Sequence, residues 1–290
     1  MDKKIILVTG ATDGIGKEAA TTMAAQGHKV IVHGRNEKKT KVVVEGILAQ
    51  HRDADVDYVL ADLLSMKSVK TMADELAARY DHLDVLVNNA GAVFSNERVL
   101  TEDGQERTFQ LNVFAPFLLS HLLLPLLQKS PSARIVFEAS ASHNFARKPD
   151  FDDMTSEHDY NAQGNYNLSK LYVIWVMQRF AKYLKEQSIT NVTANATHPG
   201  MAATQFGQNV KKGFWVDLIY KVAYKFGKMS SIADGARSEI YMATSPDVEG
   251  VSGKFYSNKC KVQQPNQKYY SEQNEQRIWD YCMKVTEDYR

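Results

Sequence analysis

The feature that most constrains the fold of this chain is a repeated alternation of short apolar runs with longer amphipathic segments. The apolar runs have the length of β-strands and read KIILVT, KVIVHG, VDYVLA, LDVLVN, ARIVFEA, NVTANAT and GKFYS. Most of them are continuously apolar, which is typical of strands buried on both faces of a sheet. The segments between them predict helices at residues 15–26, 37–50, 66–79, 106–128, 166–187 and 231–244. This order predicts an α/β fold in which a doubly wound, mostly parallel seven-stranded sheet carries helices on both faces.

Composition and charge narrow the class of protein further. The 290 residues carry a net charge of +1, and basic residues do not interleave with aromatic ones, so we expect no nucleic-acid partner. The N-terminal apolar stretch is too short for a signal-peptide core, and the longest apolar run, FAPFLLSHLLLPLL, falls short of a membrane span. Cys260 and Cys282 are too few for a disulfide framework, although they would allow one bridge. We therefore expect a cytoplasmic protein without an integral membrane segment.

A glycine-rich turn follows the first strand, in the stretch TGATDGIGKE. Gly10, Gly14 and Gly16 lie between a strand and a helix, and a second strand follows about twenty residues on. Glycine at such positions lets the backbone approach a pyrophosphate, and the free N–H groups at the helix N-terminus favour its negative charge. Glycines alone are a weak signal, but in this context they predict a dinucleotide-binding site.

The end of the second strand indicates which dinucleotide binds. Enzymes that prefer NAD place an acidic residue here, which holds the ribose 2′-hydroxyl. This chain has Gly34 followed by Arg35, and a guanidinium can form two parallel hydrogen bonds with a 2′-phosphate. The sequence therefore predicts NADP (NADPH) as the cofactor in preference to NAD. No cluster of His, Cys, Asp or Glu has metal-ligand spacing, so we expect no metal.

Four motifs follow one another along the chain: TGATDGIG, LVNNAG, YNLSK with Tyr166 and Lys170, and HPG. With this order and spacing, the chain resembles the short-chain dehydrogenase/reductase family from Ile5 to about Tyr256. Within the family it is most similar to the retinol-dehydrogenase-like branch. The features that carry this likeness are HGRN after the second strand, the stretch SASH, an FDDM-containing insert and the ending GVSGKFYSNKCKV.

The resemblance assigns catalytic roles to Asn112, Ser140, Tyr166 and Lys170. Tyr166 would exchange a proton with the substrate oxygen, but a tyrosine has a reference pKa of about 10. Lys170 stands one helical turn away on the same face, and its ammonium would lower that pKa by stabilising the phenolate. Ser140 would donate a hydrogen bond to the developing alkoxide. Asn112 would fix a water molecule that connects Lys170 to solvent.

The resemblance also assigns the residues that hold the cofactor. Asp62 would contact the adenine, and Asn88 would help to line the cofactor channel and brace the sheet. Asp13 stands where some NADP-preferring relatives carry a basic residue, so one phosphate-binding cation is absent. The cofactor-binding residues that the resemblance implies are Gly10, Thr12, Asp13, Gly14, Ile15, Gly16, Arg35, Asp62, Leu63, Asn89, Ala90, Gly91, Tyr166, Lys170, Pro199, Gly200 and Thr204.

Glu138 departs from the family pattern. The fifth strand of the family usually ends in Asn-Val-Ser-Ser, whereas this chain has Phe-Glu-Ala-Ser up to Ser140. Glu138 stands two residues before Ser140, so on a regular strand both side chains point to the same face. A carboxylate in a central strand must be paired or protonated. We favour a structural partner, either a basic residue or a backbone amide, and the alternative is that Glu138 tunes the proton network of the active site.

The resemblance implies a single Rossmann domain over residues 1–290, with a core at 5–256, a substrate lid at 198–229 and a C-terminal extension with a helix at 257–290. The lid region is rich in aromatic residues, namely Phe206, Phe214, Trp215, Tyr220, Tyr224 and Phe226. Such a segment fits a cover over an apolar pocket, so we expect an apolar carbonyl or alcohol substrate, retinoid-like or derived from lipids.

Two predicted helices carry more apolar surface than one sheet face can cover. They span residues 111–128 and 166–187, and in the family such helices often pair across a dimer interface. A homodimer is therefore one of the expected assemblies.

Three functions remain open on the sequence. The leading one is an oxidoreductase that acts on CH–OH and C=O groups with NAD(P). An alternative enzyme would reduce a carbon–carbon double bond with similar motifs. A third reading is a regulatory protein that senses NADP without turnover, although the presence of Ser140, Tyr166 and Lys170 argues against it.

Overall fold

The sheet is built from the apolar runs that predict strands. The computed structural model describes residues 3–200 and 231–290, and in this part of the chain seven strands form one sheet. The strands are β1 (Ile5–Val8), β2 (Lys29–Gly34), β3 (Asp55–Leu60), β4 (Val85–Asn88), β5 (Ala133–Glu138), β6 (Val192–Thr197) and β7 (Phe255–Tyr256). Their order is β3-β2-β1-β4-β5-β6-β7, and every neighbouring pair is parallel. The predicted doubly wound fold is confirmed. The strand order reverses direction between β1 and β4, and in sheets of this kind ligands bind at that point.

Helices connect the strands on both faces of the sheet. They are α1 (Gly14–Ala25), α2 (Glu37–Gln50), α3 (Met66–Arg79), α4 (Arg107–Phe109), α5 (Ala115–Leu122), α6 (Leu124–Leu127), α7 (Ala162–Glu186), α8 (Ile232–Thr244) and α9 (Glu272–Val285). Polar caps fix where several of them begin: Asn36, Ser65, Asn161 and Ser271 each accept a hydrogen bond from a backbone amide of the first turn. The helix predicted at 166–187 therefore begins one turn earlier, after the cap at Asn161.

The two faces of the sheet are buried under different helices. Leu7, Leu86 and Ile135 point to one face and pack against α3, α5, α7 and α9. Their neighbours Ile6 and Val136 point to the other face and pack against α1, α2 and α8. Both faces are apolar because each is covered, which explains why the strands lack an alternating polar pattern.

The helix predicted at 106–128 is interrupted. It consists of α4, a π-helical stretch at Gln110–Phe114, α5, and α6 after a break at Leu123. Prolines explain both interruptions, because Pro116 and Pro125 each lack the amide hydrogen that would bond one turn back. In the π-helical stretch, the Ala115 amide bonds to the carbonyl of Gln110, five residues earlier.

The C-terminal helix α9 covers the apolar faces of α5 and α7. The Trp279 ring packs against Phe117, with ring centroids 5.0 Å apart, and against Phe180 at 5.8 Å. An ion pair of 2.6 Å between Lys182 and the buried Glu275 joins α7 to α9. Among the helices of the described ranges, none combines the length and apolar character that a membrane crossing requires.

Candidate active site

The glycine-rich loop is pressed against the end of β4. Gly10 has a φ of +65°, which favours glycine, and a Cβ there would lie 2.9 Å from the Cα of Ala90. A Cβ on Gly16 would lie 2.2 Å from Nδ2 of Asn89. Only glycine fits this close approach, which brings the loop and the start of α1 against the end of β4. This is the cradle that a dinucleotide pyrophosphate needs.

Polar side chains directly after β1 and β4 fix the shape of the loop. Asn89 Nδ2 donates to the carbonyl of Thr9 over 2.7 Å, and the Ala90 amide donates to Thr9 Oγ1 over 3.0 Å. Asp13 is the N-cap of α1, and its carboxylate accepts from the Gly14 amide over 2.7 Å. Asp13 therefore occupies one amide of the cradle with its own negative charge.

His33 is a loop-supporting residue that the sequence analysis missed. Its Nδ1 accepts a hydrogen bond from the Gly10 amide over 3.1 Å. The ring proton must then lie on Nε2, which is 3.2 Å from the carbonyl of Ala61 and donates to it. Burial lowers the pKa of His33 to about 4, so the ring is neutral at pH 7 and ties the glycine loop to the ends of β2 and β3. A histidine inside an apolar strand, KVIVHG, is the signal that could have found it.

The ends of β2 and β3 contain the residues predicted to select the cofactor. Arg35 is exposed, and it forms no ion pair with any residue in the described part of the chain. A Cβ on Gly34 would lie 2.4 Å from Cγ2 of Thr12. Glycine at position 34 therefore allows the glycine-rich loop to pack against the end of β2. Asp62 is exposed and accepts from the Leu64 amide over 3.0 Å, whereas the Leu63 side chain is buried in the core.

Tyr166 and Lys170 lie on one face of the first turns of α7. Lys170 Nζ is 5.8 Å from the centre of the Tyr166 ring, and it donates a hydrogen bond of 2.7 Å to the carbonyl of Glu138. Burial lowers the pKa of Lys170 to about 8. A Cβ on Gly91 would lie 3.1 Å from Lys170 Nζ and 3.2 Å from Asn112 Oδ1. The absence of a side chain at Gly91 therefore allows both polar groups to lie close to the main chain that follows β4.

Asn112 lies inside the π-helical stretch, and three hydrogen bonds to two residues hold its side chain. Its Oδ1 accepts from the Ala92 amide over 3.0 Å, and its Nδ2 donates to the Ala92 carbonyl and to Ser169 Oγ over 3.2 and 2.9 Å. The residue one helical turn after Asn112 is Pro116, which has no amide hydrogen to bond the Asn112 carbonyl. The Asn-Val-Phe-Ala-Pro sequence is thus a signal for an irregular helix at a functional site. Asn88, by contrast, donates to Ser120 over 3.1 Å and braces β4 against α5.

Ser140 begins the turn that follows β5. Its Oγ accepts from the Ser142 amide over 3.2 Å, which leaves the hydroxyl proton out of that bond. The buried His143 holds the Ser140 main chain, because its Nδ1 donates to the Ser140 carbonyl over 2.6 Å. His143 therefore has a structural role.

The HPG turn follows β6, which lies next to β5 in the sheet. His198 Nδ1 accepts from the Gly200 amide over 3.0 Å, and Nε2 donates to Gln263 over 3.3 Å. Gly200 has a φ of +71°, and a Cβ there would lie 2.6 Å from Asn258. Pro199 is fixed between these two residues. Thr204 and the aromatic residues predicted for the lid lie outside the described residues.

Glu138 differs from the favoured prediction. No N–H or O–H group of the described residues donates to either of its carboxyl oxygens, so the expected basic or amide partner is not there. Its carboxyl group faces that of Glu239 in α8. The Glu138 pKa lies well above its ordinary value, because the side chain is buried and lies beside a second carboxyl.

Comparisons with known proteins show which family this chain is similar to. The family model for short chain dehydrogenase matches residues 4–214. Human retinol dehydrogenase 14 is 33% identical over 294 residues, covering 97% of this chain and 85% of its own. Human polyprenol dehydrogenase is 32% identical over 287 residues, covering 98% of this chain and 85% of its own. A solved short-chain dehydrogenase from Escherichia coli CFT073, complexed with NADPH, superimposes with a TM-score of 0.66 at 27% identity, over 89% of this chain and 98% of that one.

Proposed function

The chain belongs to the short-chain dehydrogenase family, in its retinol-dehydrogenase-like branch, and from this premise we propose that it is an NADP(H)-dependent oxidoreductase for apolar alcohols and their aldehydes or ketones. The observation that carries the proposal is the convergence of four side chains at the ends of β4 and β5. Lys170 lies beside the Tyr166 ring, bonds to the end of β5 just before Ser140, and meets Asn112 across Gly91.

The side chains divide the work of proton transfer. When bound, the cofactor supplies or accepts the hydride. In the direction of reduction, the Ser140 hydroxyl donates a hydrogen bond to the carbonyl oxygen, and Tyr166 Oη gives its proton to that oxygen. The Lys170 ammonium stabilises the phenolate that remains. Lys170 would then pass a proton to the phenolate, and a water molecule placed by Asn112, which Ala92 and Ser169 hold, would return a proton from solvent to Lys170.

The cofactor would bind from the glycine loop to the HPG turn. The amides at the start of α1 would hold the pyrophosphate, as the close approach of Gly10 and Gly16 to β4 supports. Arg35 supports NADP over NAD, because its exposed guanidinium stands at the end of β2 where a 2′-phosphate would lie. Asp62 and Leu63 would border the adenine, with the Leu63 side chain supporting the site from below.

An apolar substrate is supported by the sequence beyond the HPG turn and by the relatives. The segment at residues 205–229 is rich in aromatic side chains, and two relatives are named for retinol and polyprenol, both apolar alcohols. We infer a substrate of the same class, retinoid-like or derived from lipids.

The organisation of the whole chain belongs to the same proposal. Residues 1–290 would form one cytoplasmic domain, with a core at 5–256, a lid at 198–229 and an extension at 257–290. The packing of α9 on α5 and α7 supports the inclusion of the extension. The expected homodimer would need a surface other than these two helix faces, since α9 covers them in each copy. Light scattering of the purified protein measures the molecular mass in solution, which decides whether a homodimer forms.

The test is an absorbance assay at 340 nm with NADPH and a panel of apolar aldehydes, ketones and quinones. We expect NADPH oxidation by the unaltered protein and its loss in Tyr166→Phe, while NADPH binding persists, because the substitution removes only the transferable proton. Tyr172→Phe, in the same helix, is the matched control and should retain activity. Binding of NADPH without turnover across the panel would contradict the proposal and favour a sensor, whereas turnover of conjugated alkenes alone would indicate a double-bond reductase.

A further inference from the structure

Two glutamate side chains meet in the interior beside the active site. Glu138 is the last residue of β5 and stands two residues after Val136, so both side chains lie on the face of the sheet that α8 covers. Glu239 lies in α8 and has no exposed surface. The two carboxyl groups are within hydrogen-bonding distance of each other. In residues 3–200 and 231–290, no N–H or O–H group donates to any of their four oxygen atoms.

Such a pair is stable only if it holds a proton. Two buried carboxylates in contact repel each other and lack any donor to replace water. One proton between them removes a charge and supplies the missing hydrogen bond. Burial raises the pKa of Glu239 to about 7 and that of Glu138 well above its ordinary value. Near neutral pH the pair therefore carries one proton and one negative charge, and it can exchange that proton.

The charge of the pair acts on Lys170. The main-chain carbonyl of Glu138 accepts a hydrogen bond from Lys170 Nζ over 2.7 Å, so the pair and the lysine share one residue. Both carboxyls favour the ammonium form of Lys170 and oppose the effect of burial, which lowers its pKa. Without a negative charge nearby, the buried ammonium would lose its proton more easily.

Other charges around the pair are few in the described ranges. On the strand beside Glu138, β6 presents the uncharged Thr197. The residues that α1 buries next to α8 are glycine, alanine and methionine. Arg134, further back on the same face of β5, donates to the carbonyl of Met242. Lys170 is thus the cation that acts on the pair, and the three groups form one titrating unit.

We propose that Glu138 and Glu239 form a one-proton carboxyl pair that keeps Lys170 charged and thereby sets the pH range in which Tyr166 transfers its proton. The pair is a positioning element for Lys170, since its carboxyls lie on the face of the sheet that α8 covers, whereas Lys170 and Tyr166 come from α7 on the other face. The effect on catalysis rests on the proposed function. The shared proton does not, because it follows from the two buried carboxyls alone.

The shared proton is tested without substrate or cofactor, by urea unfolding between pH 4.5 and 8. The folded pair binds protons that free glutamates release near pH 4.5, so stability is highest below that pH and declines as the pH rises. The decline is steepest up to about pH 7, where Glu239 loses its proton, and continues less steeply above it, where one proton remains on the pair. One proton corresponds to a tenfold decrease in the folding equilibrium constant per pH unit. We expect Glu239→Gln to flatten this decline, because the amide donates the hydrogen bond permanently. Glu45→Gln, an exposed glutamate of α2, is the matched control and should leave the slope unchanged.

The effect on Lys170 is tested by the pH dependence of kcat/KM for alcohol oxidation. Glu239→Gln removes the negative charge of the pair, so Lys170 loses its proton at lower pH and stabilises the Tyr166 phenolate less. We expect the midpoint of the rising limb to move upward by about 0.5 to 1 pH unit, with the same direction in Glu138→Gln and a larger shift in the double variant.

The two measurements separate the possible failures. An unchanged unfolding slope and an unchanged midpoint in both single variants would overturn the carboxyl pair. A flattened slope with an unchanged midpoint would overturn its action on Lys170 and leave a structural proton. Absence of turnover in the unaltered protein would contradict the proposed function, and a double-mutant cycle of Glu239→Gln with Lys170→Met in unfolding would then decide the coupling: additive effects would overturn it.

Discussion

At the scale of single residues, the chain holds its cofactor cradle by contacts that leave little room for substitution. Gly10 and Gly16 approach Ala90 and Asn89 so closely that a methyl group on either glycine would collide with them. His33 accepts a hydrogen bond from the Gly10 amide. The residue that would select the cofactor is different, because Arg35 is exposed and bonds to nothing in the described part of the chain. Its side chain can be changed without disturbing the fold.

The first prediction concerns Arg35. In Arg35→Glu, the ratio of kcat/KM for NADPH to that for NADH should fall at least about tenfold, because a charge-assisted bond of roughly 1.5–3 kcal/mol is replaced by repulsion. Steady-state kinetics with both cofactors measure the ratio. Arg52→Glu, which makes the same charge change at another exposed position, should leave it unaltered. A constant ratio in Arg35→Glu would show that Arg35 does not meet the 2′-phosphate.

The second prediction concerns the neutral His33. Its folded pKa of about 4 lies below the reference value of 6.5, so the unfolded chain binds more protons between these values. Stability from this group is therefore present above pH 6.5 and lost as the pH falls towards 4, by about 3 kcal/mol in total. In His33→Gln, the difference in unfolding free energy between pH 7 and pH 4.5 should shrink accordingly. His158→Gln, at an exposed histidine, is the control. An equal acid sensitivity in His33→Gln and the unaltered protein would argue against a neutral buried ring.

At the scale of elements, the interrupted helix between β4 and β5 places Asn112. A regular helix would bond the Asn112 carbonyl to the amide of residue 116, but that residue is proline. The π-helical stretch that results turns Asn112 towards Ala92 and Ser169, beside Lys170. The irregular element is thus the local consequence of one proline, and it forms part of the candidate site.

The third prediction follows from this proline. Pro116→Ala restores an amide that can bond Asn112, so the stretch can become a regular α-helix and move the asparagine. We expect kcat to fall by as much as about 100-fold, since displacements of about 1 Å have such effects, while the protein remains folded. Pro125→Ala, at the equivalent position of α6, should have little effect on kcat. Equal activities of the two variants would mean that the π-helical stretch does not position Asn112.

At the scale of the whole molecule, the C-terminal helix completes the core. The apolar faces of α5 and α7 receive Trp279, Ile278 and Cys282 from the same chain. Arg179 lies over the Trp279 ring, with the guanidinium 5.1 Å from the ring centre. The apolar surface from which the sequence predicted a dimer interface is therefore covered by α9 of the same chain.

The fourth prediction tests this cover. Trp279→Ala should lower the unfolding free energy by about 3–5 kcal/mol, because it removes a large buried ring. It should also promote self-association by exposing the apolar surface of Phe117 and Phe180. Urea unfolding and light scattering measure the two effects, and Trp279→Phe should show a smaller loss. A loss below about 1 kcal/mol would mean that α9 is not anchored by this ring.

The sequence by itself determined the strands, most helices, the glycine loop and the Tyr166–Lys170 pair. These features depend on neighbours along the chain: burial on both faces makes a strand continuously apolar, and helical geometry puts residues four apart on one face. The tertiary structure decided which distant groups meet. His33 reaches Gly10 and Glu138 faces Glu239 because parallel strands end at one edge of the sheet and α8 crosses beside it. Such contacts have no periodic signature, since they depend on how whole elements pack, and so the partner of Glu138 could not be predicted from the residues around it.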